Sequence, residues 1–156
     1  RKRILRALEV YYETGKTMAQ HNAETKRIPP RYDSVRIGLA YEDREQMKRA
    51  IDARVDEMVE AGLFDEVRAL LASGVPRDVT ALQAIGYKEA LAYLDGASTR
   101  GEAVDEIKLR SRQYAKRQLT WLRRDTGIHW YYWKKTRDLA ECLAFSTEIL
   151  RQYGVS

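Results

Sequence analysis

Apolar residues recur at intervals of three and four over most of this chain, the spacing that gives a helix one apolar face. The opening RKRILRALEVYYETG sets Ile4, Leu8 and Tyr11 on one side with Leu5 and Tyr12 beside them, and Gly15 stands where that helix would end. A short second helix is expected from residue 17 to about 22. Ile28, Pro29 and Pro30 break the pattern, since proline has no N–H to give a helix. Residues 34–40 then alternate, Val35, Ile37 and Leu39 against Arg36 and Gly38, and predict a strand. Asp43 and Gln46 have capping-box spacing and open a helix to about residue 61 that carries Met47, Ile51, Val55 and Met58. Gly62 separates it from LFDEVRALLASG, a short helix closed by Gly74. After a loop at Pro76, TALQAIGYKEALAYLDG is helical in composition but interrupted by Gly86. Thr99 with Glu102 repeats the capping-box spacing and starts a long helix to about residue 124. IHWYYW (128–133) reads as an aromatic strand, and residues 138–153 as a terminal amphipathic helix.

These elements predict a mainly α chain with two short β-strands. Two strands alone are marginal in water, so both are expected to belong to a larger sheet whose other strands lie outside this sequence. No N-cap residue precedes the first helix, and Arg1, Lys2, Arg3 and Arg6 crowd a terminus whose dipole favours anions. Both features predict that residues 1–156 are a single fragment of a longer chain. Its parts are a basic helical lead-in (1–31), a strand (34–40), a helical body (43–124), a second strand (128–133) and a terminal helix (138–153).

Charge changes this picture from scaffold to surface. The 156 residues carry 28 Lys and Arg against 23 Asp and Glu, a net +5. Residues 1–31 hold 8 basic and 3 acidic side chains, residues 32–107 hold 9 and 16, and residues 108–124 hold 7 and none. Such segregation points to a localised polyanion-binding face. With 44% hydrophobic and 33% charged residues, the composition excludes a disordered chain. No run approaches the roughly 18 apolar residues of a membrane span. The lone Cys142 excludes a disulfide framework and a multi-thiolate metal site, and suits a reducing compartment.

Candidate chemistry concentrates in KLRSRQYAKRQLTWLRR (108–124). Val104, Ile107, Ser111, Ala115, Leu119 and Leu122 form its seam, with Lys108, Arg112, Lys116 and Arg123 on one flank and Arg110, Arg117 and Arg124 on another. Cations interleaved with Tyr114, Gln118 and Trp121 fit phosphate contact with base stacking; the alternative is a solvated helical face. Arg54 is the second candidate. With Met47 at 0°, Met58 falls at about 20°, Ile51 at about 40° and Arg54 at about −20°. A guanidinium inside an apolar stripe needs an anion, either an internal carboxylate or a bound phosphate or diphosphate. Gly86 in QAIGYKE (83–89) costs about 1 kcal/mol against Ala inside a helix, which fits either close approach to the backbone or a kink. Arg1, Lys2, Arg3 and Arg6 could extend a basic surface or remain a solvated end. His21 and His129 lack ligand spacing and are expected to be structural, and Cys142 to be core. No phosphate-loop, nucleophile-elbow or zincin motif is present.

RILRALEVYYETGK (3–16), RVDEMVEAGLFDEVRAL (54–70), QAIGYKEALAYLDG (83–96) and YAKRQLTWLRR (114–124) occur in that order, and together they resemble the C-terminal half of the tRNA dimethylallyltransferase (tRNA isopentenyltransferase) family. The resemblance implies the C-terminal portion of a P-loop nucleotide-kinase-like α/β enzyme without its N-terminal P-loop part, and it makes segment 1–31 the end of that family's helical insertion. It implies transfer of a dimethylallyl group from dimethylallyl diphosphate to N6 of the adenosine 3′ of the anticodon. By the same resemblance Arg54 contacts the diphosphate. Lys2, Arg3 and Arg6, the run Gln83, Ala84, Ile85, Gly86, Tyr87 and Lys88, and Lys116, Arg117, Gln118, Thr120, Trp121 and Arg123 match tRNA-contacting segments. The implied partners are the tRNA anticodon stem-loop, the prenyl diphosphate and the missing P-loop half. Mg²⁺ is implied for the full-length enzyme, with none bound by this chain, which alone is expected to be inactive. A cytoplasmic monomer with no membrane contact is expected. Two departures stand out: Ala50 replaces an arginine that many relatives carry, and one Cys with two His excludes the zinc finger of eukaryotic relatives, favouring a bacterial type. The rival readings are a non-enzymatic helical RNA- or DNA-binding module and a helical protein-interaction domain.

Overall fold

The computed structural model describes residues 2–29, 31–134 and 137–155, and the chain divides into two compact units, Arg1–Ser34 and Val35–Ser156. In the first, α1 (Lys2–Thr14) and α2 (Met18–Arg27) are joined through Gly15, whose φ of +69° turns the chain out of α1. Thr17 and Gln20 form a reciprocal cap, the Thr17 amide donating to Gln20 Oε1 at 2.9 Å and the Gln20 amide to Thr17 Oγ1 at 3.3 Å. α2 runs five residues past the expected end at 22. It has no buried residue, so the apolar period that marks a helix in sequence is missing. Its start is held by the cap, and a Lys16–Glu24 contact of 2.7 Å braces it. The apolar positions of α1 (Ile4, Leu5, Leu8, Tyr11 and Tyr12) are exposed, whereas Val10 is buried.

The second unit contains β1 (Arg36–Tyr41), α3 (Arg44–Glu60), α4 (Leu63–Ala72), a 3₁₀ turn (Thr80–Gln83), α5 (Tyr87–Leu94), α6 (Arg100–Leu122), β2 (Ile128–Trp133) and α7 (Leu139–Gln152). The cap signals act where expected. Asp43 accepts from the Glu45 and Gln46 amides at 2.9 and 3.2 Å. Thr99 and Glu102 exchange both bonds, at 2.8 and 3.2 Å. Phe64, Val67, Leu82, Ala90, Leu91 and Ala103 form one core between α4, α5 and the start of α6. Val55, Leu63 and Ile107 form a second where α3 crosses α6.

The two strands, expected to join a larger sheet, pair with each other. They run parallel, with Gly38 opposite Trp130 and Tyr41 opposite Trp133. α7 lies against one face, where Tyr131, Trp133 and the core residue Cys142 pack with Tyr41 and Phe145. His129 meets the Tyr153 hydroxyl at 3.0 Å, a structural contact. Burial, followed by the hydrogen bond from its hydroxyl to Glu141 at 2.9 Å, pushes the Tyr131 phenol up to about 12.

Gly38 shapes the opposite face. A Cβ there would lie 2.7 Å from Ile128 Cγ2 and 2.7 Å from Trp130 Cε3, so the missing side chain is what lets the indole lie across the strand. Gly38→Val should therefore displace Trp130 and destabilise the fold by about 1–3 kcal/mol, the usual cost of overpacking. Urea denaturation followed by tryptophan fluorescence checks this, and an unchanged midpoint would show that the ring is free to move aside.

Candidate functional site

α6 is the element on which the candidate residues converge, and its charges are allocated unevenly. Asp56 of α3 takes Lys108 at 2.6 Å. Asp52 of α3 takes Arg112, whose Nη1 donates to both carboxylate oxygens at 2.6 and 2.7 Å. Glu106, one turn back on α6, takes Arg110 at 2.5 Å. The run without acids in its own sequence thus borrows them from α3 and from the previous turn. The expected flank of Lys108, Arg112, Lys116 and Arg123 is correspondingly split. Its first two members are held against α3, while Lys116, Arg117, Arg123 and Arg124 have no ion pair among the described residues.

Four free cations remain at the C-terminal end of the helix, where carbonyl partial charges favour them. Lys116, Arg117, Thr120 and Trp121 line an open groove there with Gln113 and Arg124. Their spacing of three and four places five of them along one side of α6, with Arg124 just past its end. Trp121 is 70% exposed, too open for a core residue. The Arg117 guanidinium lies 5.9 Å from the Tyr114 ring centroid, within cation–π range. Thr120 donates its hydroxyl to the Lys116 carbonyl at 2.8 Å. Gln118 and Arg123 are exposed but lie outside the groove lining.

On another side of α6 opens a cavity of about 610 Å³. Ile51, Arg54, Val55 and Met58 of α3 form one wall, Gln83, Ala84 and Ile85 another, and Ile107, Ser111, Tyr114 and Ala115 of α6 the third. This corrects the expected burial of Arg54: its side chain is exposed. The helical angle was sound, but only Val55 of α3 is buried; Ile51, Arg54 and Met58 line the open cavity, with Met58 half-buried against the Val55–Ile107 core. Arg54 has no hydrogen bond or ion pair among the described residues. Neither internal carboxylate nor apolar burial accounts for it.

The 83–88 segment forms a shoulder beside that cavity, with Gln83, Ala84 and Ile85 in its wall. Gly86 stands at the start of α5 and not inside a helix, with φ +100° and ψ −54°. A Cβ there would meet Leu63 at 3.6 Å, an ordinary contact, so the backbone angle and not crowding requires glycine. Its amide donates to Glu89 at 2.8 Å. Tyr87 is half-buried and donates its hydroxyl to Glu66 at 2.6 Å, a bond that raises its pKa together with burial. The Tyr87 hydroxyl is thus engaged within the fold, whereas Gln83, Ala84, Ile85 and Lys88 are exposed.

In the first unit Arg3 and Arg6 are exposed on α1, with Arg6 3.3 Å from Glu9. Lys2 begins that helix, and Arg1 lies outside the described residues. Sequence reasoning set Arg124 on a basic flank of the helix but not among the tRNA-contacting residues, and it did not single out Gln113, although both follow from Lys116 and Trp121 by steps of three. It also left out Ser111, Tyr114 and Ala115 as cavity lining, because that role depends on where α3 and the 83–85 loop come to lie.

Fold and site together define a helical protein with two separate cationic openings, one lined with apolar walls and one flanked by exposed aromatics. The IPP transferase family model matches residues 1–125, and the chain belongs to that family. It is 45% identical over 130 residues to the tRNA dimethylallyltransferase of Halothermothrix orenii, covering 83% of this chain and 39% of that protein. It is 47% identical over 130 residues to that of Bacillus subtilis, covering 83% and 40%. The tRNA delta(2)-isopentenylpyrophosphate transferase structure from Staphylococcus epidermidis aligns with a TM-score of 0.72 at 37% identity, over 97% of this chain and 48% of that one. The chain spans less than half the length of these relatives. No helix among the described residues is long and apolar enough to cross a membrane.

If the angle at position 86 is what demands glycine, Gly86→Ala should destabilise the protein by about 1–3 kcal/mol. Thermal melts of the two proteins check this; equal melting temperatures would mean that the turn relaxes to ordinary angles.

Proposed function

We propose that this chain is the C-terminal part of a tRNA dimethylallyltransferase and supplies a diphosphate-binding arginine and tRNA contacts. The observation that carries the reading is Arg54: an unpartnered guanidinium at the mouth of a cavity whose other walls are largely apolar and uncharged. An anionic head with a short branched hydrocarbon fits that combination, the fork of Arg54 suiting the diphosphate. In the reaction, N6 of the adenosine attacks C1 of the dimethylallyl group as the C1–O bond to diphosphate breaks. The N6 proton passes to a base outside this chain. Charge builds on the departing oxygen, and Arg54 is a donor aimed at that charge.

The free cations of α6, with Trp121 and Tyr114 beside them, act in this reading as the tRNA contact. Phosphates meet Lys116, Arg117, Arg123 and Arg124, and an unstacked base of the anticodon loop has an aromatic surface to lie on. Gln83, Ala84 and Ile85 at the cavity edge meet the target adenosine, which must leave its stack to react. Arg3 and Arg6 add charge in the other unit.

The parallel β1–β2 pair is read as part of the P-loop kinase-like sheet of the full-length enzyme, which brings the nucleotide-binding fold and the catalytic base. Among the described residues no group of three or more His, Cys, Asp or Glu side chains could hold a metal, and no carboxylate lines the cavity. These residues therefore do not fit the Mg²⁺ that the family implies. A cytoplasmic setting follows from tRNA as substrate.

In the full-length enzyme, Arg54→Ala should lower kcat about 10²–10³-fold, as loss of a charge-stabilising donor does, with tRNA affinity within about threefold. Unimpaired prenyl transfer would remove Arg54 from the site. For tRNA binding, replacing Lys116 and Arg117 together by Gln should make the slope of log K against log[salt] shallower by about 1.4, at about 0.7 per single-strand phosphate. An unchanged slope in filter binding would clear the groove of RNA.

A further inference from the structure

Lys108–Asp56 and Arg112–Asp52 form a ladder in which the α6 number rises by four as the α3 number falls by four. The two helices therefore cross antiparallel, with their ionic contacts on one flank and the cavity on the other. Arg112 occupies a particular place in this arrangement. Ser111, just before it, lines the cavity, and Gln113, just after it, lines the groove. Its partner Asp52 follows the cavity residue Ile51 and lies two residues before Arg54. Both side chains are about one-third exposed, at 31% and 33%. One nitrogen holds both carboxylate oxygens, so the contact is shielded and charge-assisted, unlike the exposed pairs elsewhere on the surface.

We infer that Asp52 and Arg112 are a positioning pair that fixes the helix bearing Arg54 against the helix bearing the cationic groove, and so aligns prenyl donor with RNA acceptor. The inference rests on the function proposed above. Arg54 stands on α3 and the groove cations on α6, so a small slide between these helices leaves the groove intact while shifting Arg54 along the α6 wall of the cavity. It moves the reacting atoms apart, however, and a misplacement of about 1 Å can cost about 10²-fold in rate. The expected signature is therefore a loss in kcat without a matching loss in tRNA binding. Neither residue needs to touch a substrate for this.

The test is steady-state prenyl transfer by full-length Asp52→Asn and Arg112→Met enzymes, well below their melting temperatures, with tRNA binding measured across salt. Expected are a kcat at least tenfold lower, a tRNA Kd within about threefold and an unchanged salt slope. Activity should recover in part in Asp52→Glu and in the swapped pair Asp52→Arg with Arg112→Asp, which also serve if a single variant folds poorly. A lower melting temperature with kcat within twofold of the parent would make the pair a simple brace and overturn the inference. So would a salt slope shallower by about 0.7–0.9 in Arg112→Met, which would mark Arg112 as a phosphate contact. No recovery in either rescue variant would overturn it as well. Arg54→Ala run in parallel separates the levels. If it collapses transfer while Asp52→Asn does not, the positioning role alone fails; if it is fully active, the cavity's proposed function fails whatever Asp52 does.

Discussion

Everything functional in the second unit depends on how α6 is held by α3. A helix of 23 residues is about 35 Å long, and its start is fixed by burial of Ala103 and Ile107. Past Ile107 the apolar seam thins, and charge takes over from hydrophobic contact as the means of attachment. Asp52 and Asp56 neutralise the cations nearest to them and leave those farther along unpaired. The same two carboxylates therefore brace the helix and limit where it can attract a polyanion. A helix with all seven cations free would instead present positive charge along the whole stretch from 108 to 124.

The sequence showed helices wherever an apolar face meets a core, and it showed their starts wherever Thr or Asp has its partner three residues on. It lost the end of α2, because that helix buries nothing and so leaves no period to follow. The α6 groove was legible in large part, since Lys116, Arg117, Thr120 and Trp121 stand at helical spacings that need no tertiary knowledge. The cavity was not. Its three walls come from residues 51–58, 83–85 and 107–115, and nothing local to any of them says that they meet. Arg54 shows the limit most clearly: its angle on the helix could be worked out, but whether that angle faced protein or space could not. The Asp52–Arg112 contact spans 60 residues, beyond the reach of any search for pairs along one helix.

The proposed chemistry makes use of that same division. A guanidinium satisfied by a protein carboxylate has little left to offer a substrate, and Arg112 is such a residue. Arg54 differs in having no acidic residue beside it in the cavity, so its positive charge is available to a ligand. The 83–86 shoulder is fixed by hydrogen bonds from Tyr87 and Gly86 to two glutamates, which spares it from having to order itself when a ligand arrives.

The parallel pairing of β1 with β2 has a consequence for how this unit comes to exist. Every residue from α3 to the end of α6 lies between two strands that end side by side, so the helical body is one long excursion whose two feet are clasped together. Closing an excursion of that length from an unfolded chain carries an entropy cost that grows with its logarithm. Helices meeting near neighbours in sequence, as α4 meets α5 and α5 meets α6, shorten the effective excursion before the feet have to meet. The clasp is thus a contact of long reach, joining residues 92 apart in sequence, and such contacts are favoured once the more local ones have shortened the loop they close.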